Sequence, residues 1–453
     1  MASRGSHLVQ ADRRFATGGG RVGRIAAPAF ATVLDRLDER LELGGIEATL
    51  PDGSHRRIGF RSDGPVAIVR LHNWMPLVRL ATSGSVGWYK AWAAGEWTSP
   101  DPVPLCALFM ANAVALGDVA RAKGPMRWIN SLAHRMRDNG PARARRNIAA
   151  HYDLGNDFYA AWLDPSMTYS SARFSSLPPE REGKSAKREG EGLSSSATTA
   201  SPPLAFGEST PPVPAGGALE LAQLYKIHTL LDRLDLNPGD RLLEIGCGWG
   251  TLAIEAARRG VSVVGLTLSE QQKSWADAKI AEAGLADRIE IRLQDYRSVD
   301  EQFDAIASVE MVEAVGERWW PVYLDCIARN LAPGGKAALQ FISIDHRLFD
   351  AYARSADFIQ AYIFPGGMLL NEPRFETLAV DRGLTWQDRE GFALDYARTL
   401  HLWRVRYDLA VAQGRLPGFD EAFHKLWRYY LMYCEGGFRG GGIDVAQITL
   451  ARN

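Results

Sequence analysis

The chain has 453 residues, 46% of them hydrophobic and 13 of them Trp, with a formal net charge of −1 at pH 7. Such a length exceeds one ordinary core and points to two domains. No apolar run approaches the roughly 20 residues of a membrane-crossing helix, and the N-terminus lacks the apolar segment of a secretory signal. Cys106, Cys247, Cys326 and Cys434 are widely spaced and fit no metal pattern, so a cytoplasmic protein with reduced thiols and no metal is expected.

In chain order, residues 1–28 are rich in Gly and Arg and are expected to be a disordered tail. Residues 29–120 read as a small α+β domain. It has a turn at Pro51-Asp52-Gly53, strands at Ala67–Leu71 and Pro76–Ala81, and a helical stretch near Leu105–Val119. Residues 121–150 read as a basic linker helix. Residues 1–150 carry a net charge of +9 and the remainder −10, and basic groups are densest between Arg121 and Arg146, where eight stand against Asp138 alone. Trp128, Ile129, Leu132 and Met136 interleave with them at roughly helical spacing, the pattern of an amphipathic helix lying on anionic lipid. A solvated interdomain helix is the second reading, and nucleic acid a remote third.

Residues 151–453 read as the larger domain. Ser175–Gly217 holds 7 Pro, 6 Gly and 8 Ser without aliphatic periodicity, and is expected to be a disordered insertion. Helical pattern resumes at Leu219–His228. The stretch Arg241–Ala253 is the most informative. Leu242, Leu243 and Ile245 read as a buried strand, Gly246, Gly248 and Gly250 as a tight turn, and Thr251 opens a helix closed at Gly260. Gly-x-Gly-x-Gly led by Glu244 differs from the dinucleotide fingerprint. It resembles the turn of S-adenosylmethionine (SAM) methyltransferases, whose acidic residue helps to hold the SAM ammonium.

Strands at Val261–Leu266, Ile289–Leu293, Phe303–Val309 and Lys336–Ile344 then alternate with helices at Glu270–Ala283 and Trp319–Leu331. That order implies right-handed crossovers, a parallel sheet, and ligands at the carboxyl ends of its strands, where Thr267, Asp295 and Glu310–Glu313 fall. The expected fold class is α/β, a Rossmann-like class I SAM methyltransferase domain, beside the small α+β domain. Residues 345–440, rich in Phe, Tyr and Trp, are expected to interrupt it as a helical lid over a greasy substrate. A final strand follows near Ile443–Leu450.

The pieces His151–Asp157, Tyr169–Ser171, Leu219–Lys226, Leu243–Gly250, Val264–Ser269, Leu293–Tyr296, Ile363–Pro365 and Tyr429–Arg439 follow one another in a familiar order. Over residues 150–450 the chain resembles the cyclopropane-fatty-acyl-phospholipid synthases and the mycolic-acid cyclopropane synthases. Gly95-Glu96-Trp97 is the clearest mark of that family's N-terminal domain, implicated in phospholipid binding; the insertion is an addition to it. In the activity the resemblance implies, a cis double bond of a phospholipid acyl chain attacks the SAM methyl. A base then removes a proton from the new methyl, and a cyclopropane closes. It also implies SAM as cofactor, bicarbonate as the bound base, and an unsaturated phospholipid bilayer as partner. The bilayer would be approached peripherally at the inner membrane face through residues 121–146, with no nucleic acid and with a homodimer as the candidate assembly.

Carried over residue by residue, bicarbonate would be held by Glu313, Tyr396, the amide of Ile342, Ser171 at a Cys position and Gln340 at a His position. Cys434 matches a family cysteine, and a thiol packed in the lid explains it as well. SAM would meet Tyr169, Ser170, Glu244, Gly246, Gly248 and Gly250, with Thr267 and Gln272 near the ribose and Asp295 and Tyr296 near the adenine. Ser269-x-x-Gln272 also reads as a capping box. His151 is expected to order a loop near the cofactor. Glu310 stands where relatives often have a small residue. Three residues before Glu313 it could form a carboxylate pair, but the favoured reading turns it to solvent. Loss of the expected Cys and His leaves two other outcomes open: a methyl-branched or methylene product without ring closure, and a SAM- or lipid-binding protein without catalysis.

Overall fold

Helices and strands of the computed structural model are described for residues 3–10, 27–117, 154–174, 217–354 and 357–452, the side chains of 27–31 excepted. The basic linker 121–150, His151 and almost all of the insertion 175–217 lie outside the described residues.

The smaller domain is a four-stranded sheet in the order β2-β1-β3-β4, from β1 (Gly45–Thr49), β2 (His55–Gly59), β3 (Val66–Leu71) and β4 (Trp97–Thr98). The expected turn joins β1 to β2, with the Ser54 amide donating to Asp52 Oδ1 at 2.9 Å. The expected strand Pro76–Ala81 is instead the first part of a helix, Met75–Ala93. Asn73 Oδ1 accepts from the Met75 amide at 2.8 Å, Pro76 sits in the first turn, and Leu77, Leu80 and Gly84 are buried at helical spacing. The helix breaks at Gly84, whose φ of 56° and ψ of −138° are not helical. Glu96 grips Arg79 through two bonds of 2.8 and 2.9 Å, and Trp97 stacks on Trp88 with centroids 4.7 Å apart. Those contacts account for the Gly95-Glu96-Trp97 mark.

The larger domain is a seven-stranded sheet in the order β10-β11-β9-β8-β5-β6-β7. Its strands are β5 (Arg241–Ile245), β6 (Ser262–Thr267), β7 (Ile289–Leu293), β8 (Phe303–Val309), β9 (Leu331–Ile344), β10 (Leu384–Gly391) and β11 (Ile443–Arg452). From β9 to β7 every pair is parallel, and β11 runs antiparallel to both neighbours. β5, β6 and β8 read as nearly unbroken apolar runs because helices cover both faces. Strand order reverses between β5 and β8, which opens a crevice at their carboxyl ends.

Two expectations need correction. The span 345–440 is not all lid, because β10 lies inside it and completes the sheet. β10 is an edge strand with a largely exposed pattern, so it lacks an apolar signature. Residues 3–10 are also ordered against the rest of the fold. The Arg4 amide donates to the Gly418 carbonyl, the Arg4 guanidinium pairs with Asp157 at 2.7 Å, and Leu8 is buried.

The helix Glu421–Arg439 joins the two domains. It packs against the helix Val103–Ala111 through Gly436 and Gly440, one turn apart. A Cβ at 436 would lie 2.3 Å from Cys106 Cβ, and one at 440 would lie 2.6 Å from the Ala107 carbonyl. Around this crossing one core runs from the small domain (Tyr89, Trp97) into the lid (Phe358, Trp403, Trp427). No helix among the described residues is long and apolar enough to cross a membrane.

Candidate active site

The turn after β5 is built as its glycines require. Gly246, Gly248 and Gly250 have φ of 85°, 52° and 89°, a region that L side chains rarely occupy. A Cβ at Gly246 would lie 2.8 Å from Met311 Cγ, whereas one at Gly248 would meet nothing within 4 Å. The second glycine therefore faces open space, and the helix Thr251–Arg258 starts beneath it. Glu244 is buried beside this turn, and its Oε2 has no hydrogen-bond partner. Burial pushes its carboxyl up to about 8, against the lowering effect of a bond from the Ala253 amide and of the Lys226 charge. An orphaned carboxylate oxygen at a glycine turn is a fitting seat for the SAM ammonium.

Thr267, at the end of β6, donates to Gln272 Oε1 at 2.8 Å and accepts from the Ser269 amide at 3.1 Å. Only half of the expected capping box forms. Ser269 Oγ accepts from the Gln272 amide at 3.3 Å, but the Gln272 side chain turns to Thr267. Asp295 caps a short 3-10 turn by accepting from the Arg297 amide at 3.0 Å, and Tyr296 is buried. Tyr169 meets Tyr430 hydroxyl to hydroxyl at 2.8 Å. Nine of the ten residues assigned to SAM border one cavity of about 550 Å³. Gly250 does not, because it turns toward the next helix, where a Cβ would lie 3.0 Å from Ala276 Cβ.

The same cavity reaches Glu310, Glu313, Ile342, Tyr396 and Cys434. Beyond them its wall is largely apolar, with Leu348, Ile359, Phe364, Met368, Phe438 and Ile443. Ser83, Gly84, Phe109 and Met110 of the small domain close it further on. The Ile342 amide donates to Glu313 Oε1 through a short bond, and Glu313 Oε2 has no partner. Burial, reinforced by the Glu310 charge, pushes the Glu313 carboxyl up to about 8.

Glu310 does not face solvent. Its Oε1 accepts from the Ser171 amide and from Gln340 Nε2, both at 2.8 Å, and its Oε2 accepts from the Tyr396 hydroxyl at 2.6 Å. Ser171 and Gln340 thus stand behind Glu310 rather than on the cavity wall. The Ser171 hydroxyl donates to the Ala172 carbonyl, and Gln340 Oε1 accepts from Gln447 Nε2 at 3.1 Å. Burial raises the Glu310 carboxyl, while Tyr396, the Ser171 amide, Lys226 and Gln340 act the other way.

Lys226 is the residue that motif reading left unassigned. On the helix Ala218–Asp232 it is fully buried, and its Nζ donates to Ser170 Oγ at 2.7 Å. Burial lowers it to about 8 despite the nearby charges of Glu310, Asp164 and Glu244. Gln223, one turn earlier, donates to the Ser170 carbonyl at 2.9 Å. The available signal was positional: Lys226 falls on the stripe Leu219, Ala222, Gln223, Ile227, Leu230 that the helix buries.

A glycine turn at the switch point of this sheet, with a buried acid beside it, defines a class I SAM-dependent methyltransferase. The family model described as mycolic acid cyclopropane synthetase matches residues 140–448, and the chain belongs to that family. It is 37% identical over 379 residues to the tuberculostearic acid methyltransferase UfaA1 of Mycobacterium tuberculosis, covering 83% of this chain and 80% of that one. To the cyclopropane-fatty-acyl-phospholipid synthase of Escherichia coli K12 it is 33% identical over 305 residues, covering 67% and 66%. The solved mycolic acid cyclopropane synthase CmaA1, complexed with SAH and CTAB, matches with a TM-score of 0.55 at 29% identity, over 68% of this chain and 98% of that one.

Proposed function

We propose that this lipid methyltransferase alkylates the cis double bond of unsaturated phospholipid acyl chains and carries the product on to a cyclopropane. The observation that carries the reading is a pair of buried carboxyls, Glu310 and Glu313, at the junction of the SAM seat and an apolar chamber. SAM supplies the methyl group. Glu244 and the glycine turn hold its amino-acid end, with Thr267 and Gln272 near the ribose and Asp295 and Tyr296 near the adenine. The apolar wall accepts the acyl chain and keeps water from the reacting carbons. Alkylation leaves positive charge on the chain, and the faces of Tyr396, stacked 4.4 Å from Phe438, and of Tyr169 attract it without offering a nucleophile. A carboxylate at the junction then receives the proton that must leave. The basic stretch 121–146 would dock on anionic headgroups at the bilayer surface.

A second outcome, an open chain bearing a methylene branch, is favoured by the identity shared with a relative named for methylation rather than for ring formation. The two products are isomers and are separated by one experiment. Purified protein, SAM and vesicles of cis-unsaturated phospholipid are incubated, and the lipids are analysed by mass spectrometry and proton NMR. A gain of CH2 with upfield ring protons and no alkene supports the cyclopropane. The same gain with a retained double bond supports the methylene. An unchanged lipid mass overturns both.

A further inference from the structure

The family resemblance implies a bicarbonate base, and the residues present do not fit it. Of the five groups expected to hold that anion, Ser171 (through its amide), Gln340 and Tyr396 already donate to Glu310, and the Ile342 amide already donates to Glu313. Both Glu310 oxygens are engaged, and the carboxylate borders the cavity beside Glu313. The place that a small anion would need is filled by a carboxylate of the chain itself.

Backbone geometry says that this placement is built in. Glu310 follows β8 directly and has φ of 48°, a left-handed conformation uncommon outside glycine. Its amide donates to the Gln340 carbonyl at 2.7 Å, which fixes the turn and aims the side chain inward. A residue held against its backbone preference, with three donors gathered from residues 171, 340 and 396, is oriented for use.

We infer that Glu310 is the proton acceptor of the reaction, a resident carboxylate in place of bound bicarbonate. The inference rests on the alkene-alkylation reading above. The double bond forms a carbon–carbon bond to the SAM methyl as the carbon–sulfur bond breaks, its electron pair staying on sulfur. Glu310 then takes a proton from the transferred methyl. The released C–H pair closes the ring onto the cationic carbon. If a hydride first shifts from the methylated carbon to its cationic neighbour, the same proton loss gives the methylene instead. Either way Glu310 leaves the step as a carboxylic acid and returns its proton to solvent after product release.

The test uses the full chain, E310Q as the near-isosteric variant and E310G, whose glycine accepts the left-handed backbone without strain. Binding is read by line broadening of carbon-13 bicarbonate, and turnover with SAM and unsaturated vesicles is read in carbonate-free buffer with and without millimolar bicarbonate. Wild type should show no broadening and a rate that bicarbonate leaves unchanged. E310Q should lose about 100-fold or more in turnover while binding SAM normally. E310G should broaden the bicarbonate line and regain about tenfold of its lost rate when bicarbonate is added. Bicarbonate broadening in wild type that Y396F abolishes, or E310Q turnover near wild type, overturns the inference. If wild type alkylates no lipid, the substrate reading fails, and the broadening arm still decides whether Glu310 fills the anion site.

Discussion

Glu313 shows what a buried acid costs when few groups stabilise its charge. Its carboxyl rises from 4.5 to about 8, so the native state holds the proton more tightly than the unfolded chain does. The stability it contributes is complete below about pH 4.5 and is lost as pH rises through about 8. E313Q should therefore gain in melting temperature relative to wild type as pH is raised from about 5 to about 9. A difference that stays flat across that range would place the carboxyl in wetter surroundings. The glycine turn and Glu244 were legible in the sequence because their spacing encodes a local backbone path. Glu313, Ile342 and Tyr396 were legible by resemblance, and they do converge. Glu310 was not, because its direction depends on one left-handed residue and on partners distant in the chain.

Among elements, short apolar runs were the weak point. Pro76–Ala81 is consistent with a strand or with the first turns of a helix, and the turn that Asn73 closes onto the Met75 amide, with Pro76 in the first turn and the neighbouring core, decides for the helix. β10 escaped notice for the opposite reason, since an edge strand needs few apolar residues. The crossing of Glu421–Arg439 over Val103–Ala111 depends on glycines where the backbones nearly touch. G436A should destabilise the protein by about 1–3 kcal/mol, read by denaturant unfolding, because its Cβ meets atoms of the facing helix. It should also lower lipid turnover more than SAM affinity, since the displaced helix carries Cys434 and Phe438 of the chamber wall. Equal losses in both would mean that the fold as a whole has loosened.

For the whole molecule, length pointed to two domains and the chain forms two separate sheets, but the chamber between them was not legible. Ser83, Gly84 and Met110 carry no chemical signature, and only their position beside the lid makes them part of the site. Charge asymmetry adds a prediction at this scale. If the basic stretch 121–146 docks on headgroups, binding to anionic vesicles, measured by co-sedimentation, should weaken steeply as salt rises. Replacing Arg143, Arg145 and Arg146 with Glu should remove most of it, each basic group near the surface contributing about 1 kcal/mol. Binding that salt leaves untouched would assign the interaction to apolar surface instead.

The left-handed backbone at Glu310 has a consequence for how such enzymes diverge. Glycine and glutamate codons can differ by a single base, and glycine is the residue this conformation suits best. One nucleotide substitution can therefore exchange a built-in base for a vacant anion pocket with no rebuilding of the main chain. A lineage could cross between dependence on dissolved carbon dioxide and independence of it in one mutational step.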